Sequence, residues 1–257
     1  MNGKIFGGLA LFLAFVISGL ARAVAGPPYE TDDPEPTAYR NYEIYAYGDY
    51  QHNGDVDAIP FALEFNYGLA PNVQFSVTLP ERYQSGVDTT GNATSANGFG
   101  DIEVALKYRF LRETSTRPQI AFYPSVALAT SRADGQPDGG HGTLFLPLWA
   151  QKTNGKWTFF GGGGALLDWD GTSRTSWFGG LAATYDVTTT TNAGVEIARS
   201  TAHNDLPGAT DIGVGIIHDV GTVHAVLASV GRSLSPGTFH AYAAYEWRLG
   251  PREPSRP

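Results

Sequence analysis

Between residues 41 and 249 one pattern limits what the chain can become. Apolar and polar residues alternate with period two through segments of about ten to thirteen residues, where a tilted strand needs about nine to eleven to cross a bilayer. In 41–51, Tyr42, Ile44, Ala46, Gly48 and Tyr50 share one face, and Glu43, Tyr45, Tyr47, Asp49 and Gln51 share the other. Ile59, Phe61, Leu63, Phe65 and Tyr67 then alternate with Ala62, Glu64 and Asn66. Val73, Phe75, Val77 and Leu79 alternate with Gln74, Ser76 and Thr78, and Ile102, Val104, Leu106, Tyr108 and Phe110 with Asp101, Glu103, Lys107 and Arg109. A helix would scatter these sets around its axis, whereas a strand sorts them onto two faces. Eight more segments of this kind follow, at 118–131, 143–152, 156–169, 175–187, 190–201, 209–219, 222–232 and 238–249, which makes twelve. In the sixth, seventh and eleventh, glycines or apolar residues occupy both parities and facing stays open.

Composition narrows the chemistry. The 257 residues include no cysteine, which removes disulfides, thiolate nucleophiles and Cys-ligated metals together. The formal net charge is −8 with no Lys/Arg cluster, so a nucleic-acid partner is not expected. Hydrophobic residues make up 42%, too many for a disordered chain, and the mean hydropathy of −0.17 argues against a bundle of membrane helices.

The first residues stand apart. Lys4 is followed by an apolar run from Ile5 to Leu20 and by Ala21-Arg22-Ala23 and Ala23-Val24-Ala25, either of which fits a small-x-small cleavage site. Residues 1–25 read as a secretory signal peptide, and the glycine-interrupted run is short for a membrane anchor. Its removal would take away two cations and no acid, making the exported chain more acidic. The following GPPYETDDPEP, with four prolines and four acids, forbids regular structure and is expected to be an exposed periplasmic lead-in over 26–38. The remainder divides into a strand region over 39–249 and a proline-rich tail over 250–257.

Alternation alone would also suit a soluble sandwich. Strand length, aromatic residues near the ends of the apolar stripes (Tyr42 and Tyr50, Tyr67, Tyr108 and Phe110, Tyr245 and Trp247) and an even strand count favour a membrane barrel. So does the alternation of short connections (68–72, 153–155, 188–189, 220–221) with longer ones (85–98, 132–142, 202–208). Asn154-Gly155 signals a type I′ hairpin. The expected fold is an all-β, antiparallel, up-and-down transmembrane β-barrel of about twelve strands.

The lead-in GPPYETDDPEP, the strand start Tyr42-Glu43-Ile44-Tyr45, the stretch Tyr67-Gly68-Leu69-Ala70-Pro71-Asn72, and Gly98-Phe99-Gly100-Asp101-Ile102 before a Lys-Tyr-Arg-Phe strand end together resemble the MetA-pathway phenol-degradation family of bacterial outer-membrane proteins. The resemblance covers most of the exported chain. It implies an outer-membrane barrel acting as a transporter and linked to uptake of aromatic or other hydrophobic compounds. Such barrels commonly end on an aromatic strand residue, whereas here Gly250–Pro257 follows Leu249.

If the apolar faces meet lipid, the opposite parity faces the lumen. That set is Glu43, Asp49, Glu64, Asp101, Glu103, Lys107, Arg109, Glu196, Asp211, His240, Glu246 and Arg248, in which carboxylates outnumber cations and would favour cations or neutral solutes. The bland alternative is that these charges pair across strands inside a plugged barrel. Inward Tyr45, Tyr47, Tyr123 and Tyr242 offer a stacking path for an aromatic solute or simply fill a narrow barrel. Segments 85–98 and 132–142 would select or gate.

Other motifs carry less. Gly161–Gly164 lacks the Lys and Ser/Thr of a phosphate loop, and Asn92-Ala93-Thr94 is ordinary loop composition. Ser229 with His240 could make a barrel-hydrolase pair but has no orienting partner, and neither His218 with His224 nor His203-Asn204-Asp205 has metal-ligand spacing. No enzyme, cofactor or metal is expected. The expected partners are outer-membrane lipid, a small-molecule solute and the barrel-assembly machinery.

Overall fold

The computed structural model describes residues 28–54, 56–87, 93–130, 142–168, 175–203, 207–235 and 237–251. The signal-peptide segment, Asn92, most of 132–142, Asn204, Asp205 and the tail beyond 251 lie outside the described residues.

Fourteen strand segments follow in order: β1 Tyr42–Asn53, β2 Val56–Ala70, β3 Val73–Val87, β4 Ala93–Phe99, β5 Ile102–Leu111, β6 Gln119–Phe122, β7 Ser125–Leu128, β8 Thr143–Asn154, β9 Trp157–Asp168, β10 Ser176–Asp186, β11 Thr191–Ser200, β12 Thr210–Val220, β13 His224–Ser233 and β14 Phe239–Leu249. They make twelve staves. β4 and β5 both pair with β3 and form one stave interrupted at Gly100 and Asp101. β6 and β7 form another, both lying between β5 and β8. That break falls at Tyr123-Pro124, because proline has no N–H for the ladder. All pairings are antiparallel between sequence neighbours, and β1 closes on β14 from Tyr42↔Leu249 to His52↔Phe239. The twelve-stranded antiparallel barrel expected from the alternation is the fold found.

The alternation places apolar side chains outside. On β2, Phe61, Leu63 and Phe65 are 51%, 44% and 39% exposed, while the intervening Ala62 and Glu64 are 8% and 5% exposed. Around the wall, Leu148, Leu181, Val195, Ile197, Val214 and Val230 continue an apolar belt of the kind that lipid covers. Aromatic pairs flank it. Tyr42–Tyr67 (4.6 Å between ring centroids), Tyr245–Trp247 (4.7 Å) and Trp157–Tyr185 (4.9 Å) lie toward the end that carries the connections 71–72, 155–156, 187–190 and 221–223, and Tyr50–Phe239 (6.4 Å) lies toward the other.

Three local features differ from the sequence expectations. Asn154 pairs with Trp157, so the β8–β9 turn is centred on Gly155-Lys156, with Gly155 alone at positive φ (62°). That is the type II′ arrangement, one residue later than the Asn-Gly reading. Much of 85–98 is a paired extension of β3 and β4 from Glu81↔Phe99 to Val87↔Ala93 instead of an open loop. A hairpin reaching beyond the apolar belt needs no apolar stripe, so period two could not reveal it. The third concerns the lead-in, which is buried: Tyr29, Thr31, Asp32 and Thr37 are at most 5% exposed. Short, acidic and proline-rich, it looked solvated in the sequence, but its polar groups are satisfied by the barrel interior.

The belt gives a test. Leu181 is 66% exposed midway along β10. Leu181→Arg is expected to lower unfolding free energy in phospholipid vesicles by about 2–4 kcal/mol, and Leu249→Arg at the rim by about 0–1 kcal/mol. Equal losses at both positions in denaturant titrations would exclude the belt as drawn.

Candidate functional site

The lead-in enters at the end where the short turns lie. Tyr39 bridges to Gly68, and the Arg40 amide donates to the Gly68 carbonyl at 2.8 Å. Running back toward residue 28, the Thr37 amide donates to Gln74 Oε1 at 2.7 Å and its hydroxyl to Glu43 Oε2 at 2.8 Å. Gln74 donates to Asn66 Oδ1, and Asn66 donates to Glu64 Oε1 at 2.7 Å, which extends the network across β2 and β3. Lys107 Nζ lies 3.0 Å from Asp32 Oδ1 and 4.6 Å from the centre of the Tyr123 ring. Arg109 pairs with Glu35 and donates to Gln119 Oε1 at 2.8 Å. Deeper in the barrel, the Glu196 carboxylate accepts the amides of Glu30 and Thr31, both at 2.9 Å. The Tyr29 hydroxyl donates to the Gly215 carbonyl at 3.2 Å, and Ser229 Oγ donates to the Pro28 carbonyl at 2.7 Å.

Small residues make room for this segment. A Cβ on Gly180 would lie 2.0 Å from Thr31 Oγ1, one on Gly194 2.6 Å from the Tyr29 hydroxyl, and one on Gly215 2.8 Å from the Tyr29 ring. Gly161–Gly164 is strand, not phosphate loop. There the neighbouring backbones come so close that a Cβ on Gly162 would lie 2.0 Å from the Leu148 carbonyl oxygen.

The remaining inward charges are also held. Arg248 forks onto Glu246 with two bonds of 2.7 Å and reaches Asp219 Oδ1 at 2.7 Å. Asp101 accepts the Thr130 amide at 2.8 Å, Asp49 accepts from Gln51 at 2.7 Å, Glu103 accepts from Ser125, and Asp211 accepts the Ser233 hydroxyl. His240 Nε2 lies 4.0 Å from Glu30 Oε1. Burial pushes the Asp32 carboxyl up to about 6 against the opposing pull of Lys107, and burial followed by the Glu196 charge raises the Tyr29 phenol above its ordinary value.

The structure groups the sequence candidates unevenly. Tyr45, Tyr47 and Tyr242 pack on one patch of wall with Ala225, Leu227 and Ala244, the Tyr47 and Tyr242 rings being 5.5 Å apart. Tyr123 stands on a different part of the wall, its hydroxyl donating to Ser76 Oγ at 3.0 Å. Glu43, Glu64, Lys107, Arg109, Glu246 and Arg248 gather toward the short-turn end, Glu103 shares a row of the ladder with Thr78 and Glu64, and Asp49, Asp101, Asp211 and His240 lie toward the other end. Ser229 is opposite Tyr242, and His240 is opposite Gly231. The sequence reading missed Tyr29, Glu30, Thr31, Asp32 and Thr37 as interior residues. The signal for them was the run of inward glycines and alanines on β10–β13, a wall too bare to fill its own lumen.

Two variants probe this packing. Gly180→Val should lift Thr31 from β10 and speed hydrogen exchange of the Glu30 and Thr31 amides at least tenfold, with the barrel's heat-modifiable gel migration unchanged; unaltered exchange would show that Gly180 does not seat the lead-in. Lys107→Met, which strands Asp32 in the interior, should cost about 3–5 kcal/mol in equilibrium unfolding.

Comparison with known proteins agrees with this architecture. The Crystal structure of the COG4313 outer membrane channel from Pseudomonas putida F1 is 14% identical, with a TM-score of 0.70 over 84% of this chain and 98% of that one. The NanC porin (8% identity, TM-score 0.58, 80% and 100% coverage) and the KdgM porin (9%, 0.56, 80% and 98%) share the barrel fold. No curated protein matches the chain. The profile of one family matches residues 43–249, every stave of the barrel included, and the chain belongs to that family, described as "Putative MetA-pathway of phenol degradation".

Proposed function

We propose that the chain is an exported outer-membrane channel through which small, aromatic or hydrophobic solutes pass down their gradient in a polar, acid-biased lumen. The observation that carries this reading is the sign imbalance of the interior. Lys107 is matched by Asp32 and Asp33, Arg109 by Glu35, and Arg248 by Glu246 and Asp219. Glu43, Glu64 and Glu103 are held by neutral partners, Thr37, Asn66 and Ser125, and so leave a surplus of carboxyl groups over cations. In a narrow pore such a surplus favours cations and neutral solutes over anions. The patch of Tyr45, Tyr47 and Tyr242 offers ring faces to a neutral aromatic solute passing beside the lead-in. The family's description in terms of phenol degradation, and the channel named in the Pseudomonas structure, support the same direction.

A second reading, a non-conducting structural or surface-interaction barrel, is favoured by the lead-in itself, since residues 28–37 occupy the lumen. A hydrolase is the weakest reading, because the Ser229 hydroxyl is engaged by the Pro28 carbonyl.

Planar-bilayer recordings across a KCl gradient separate the first two. The channel reading expects a cation-selective reversal potential that shrinks toward zero in the triple variant Glu43→Gln, Glu64→Gln, Glu103→Gln, and reversible current interruptions on adding phenol. Absence of conductance in the intact barrel and after deletion of residues 28–37 would establish the non-conducting reading instead.

A further inference from the structure

Glu30 of the lead-in, Asp211 near the start of β12 and His240 near the start of β14 each bring one ligand atom to the same interior spot, all within 4.8 Å of one another. We propose that these three residues bind a divalent transition-metal ion of the zinc class, which fastens the lead-in to the barrel wall. The donor set argues for that class. One imidazole with two carboxylates suits zinc and its first-row neighbours, whereas calcium and magnesium prefer all-oxygen shells.

The geometry needs little adjustment. Three atoms no more than 4.8 Å apart share a point within about 2.8 Å of each, while zinc–nitrogen and zinc–oxygen bonds are about 2.0–2.2 Å. Each side chain therefore has to advance by only about 0.7 Å. A water in the fourth position would complete a tetrahedral shell.

The surroundings support the ligands as outer shells do. Ser233, opposite Asp211 on β13, donates its hydroxyl to the Asp211 carboxylate. The Glu30 backbone is fixed by its N–H, which donates to Glu196 Oε1 at 2.9 Å. Opposite His240 the wall carries Gly231, where a Cβ would lie 2.3 Å from His240 Cε1, so a bare position accommodates the ring. Electrostatics point the same way. Two carboxylates brought this close repel one another, and a divalent cation between them turns that repulsion into attraction.

Calorimetric titration of the purified, chelator-stripped protein in detergent with ZnCl2 tests the proposal. One tight equivalent is expected, with affinity at least tenfold weaker in Glu30→Gln, Asp211→Asn and His240→Gln, and with a zinc-dependent rise in unfolding temperature confined to the unsubstituted protein. Heat-modifiable migration identifies which variants are folded, and a parallel titration with MgCl2, expected to show no equivalent, keeps the question decidable if a variant fails to fold. Absence of a stoichiometric zinc site, equal binding of magnesium, or zinc affinity unchanged in a folded Asp211→Asn or His240→Gln would overturn the assignment. None of these outcomes depends on whether the barrel conducts.

Discussion

In hydrocarbon an unpaired backbone N–H or C=O costs several kcal/mol, so a chain that crosses lipid with strands must leave no edge. The eleven-pair seam between β1 and β14, from Tyr42↔Leu249 to His52↔Phe239, meets that demand, and the rest of the structure depends on it. Once the ladder is closed, period two puts Phe61, Leu63 and Phe65 toward lipid and Ala62 and Glu64 inside. Breaks in the ladder are few and local. At Tyr123-Pro124 the chain stays tied to both neighbours through the Tyr123 amide to Pro147 and the Pro124 carbonyl to Leu106.

Closure creates a second problem, an interior that must itself be satisfied. Much of β10–β13 turns glycine, alanine and serine inward, and a twelve-stave ring is wider than such residues can fill. The lead-in supplies what is missing. Its amides find Glu196 and Gln74, its carboxylates find Lys107 and Arg109, and its carbonyl at Pro28 finds Ser229. A segment that has no secondary structure can lie in a polar lumen because the wall offers side-chain partners for its unpaired backbone.

What the sequence disclosed followed from local periodicity. Strand positions, inward and outward parity and the charges at Glu43, Glu64, Lys107 or Arg248 are properties of a few consecutive residues, and they could be read without knowing which strand met which. What it concealed depends on contacts between remote stretches. Nothing near Tyr29-Glu30-Thr31 announces Glu196 or Gly215, and proline with acid is ordinarily the mark of a solvated segment. Glu30, Asp211 and His240 lack any metal-ligand spacing because three separate elements deliver them. The type II′ turn at Gly155-Lys156 was displaced from its expected position by register, which the partner strand sets.

The close fit between the lead-in and the bare wall has a consequence for how such sequences diverge. Thr31 against Gly180 and Tyr29 against Gly194 and Gly215 are volume-matched pairs. A methyl gained on one side has to be given up on the other, because close-packed surfaces have no spare room. Drift in residues 28–38 is thereby correlated with drift at wall positions up to most of the chain length away. Among relatives, the identity of the residue at 29 or 31 should covary with those at 194, 215 and 180, and a lead-in transplanted from one barrel into another should seat only when the matching glycines travel with it.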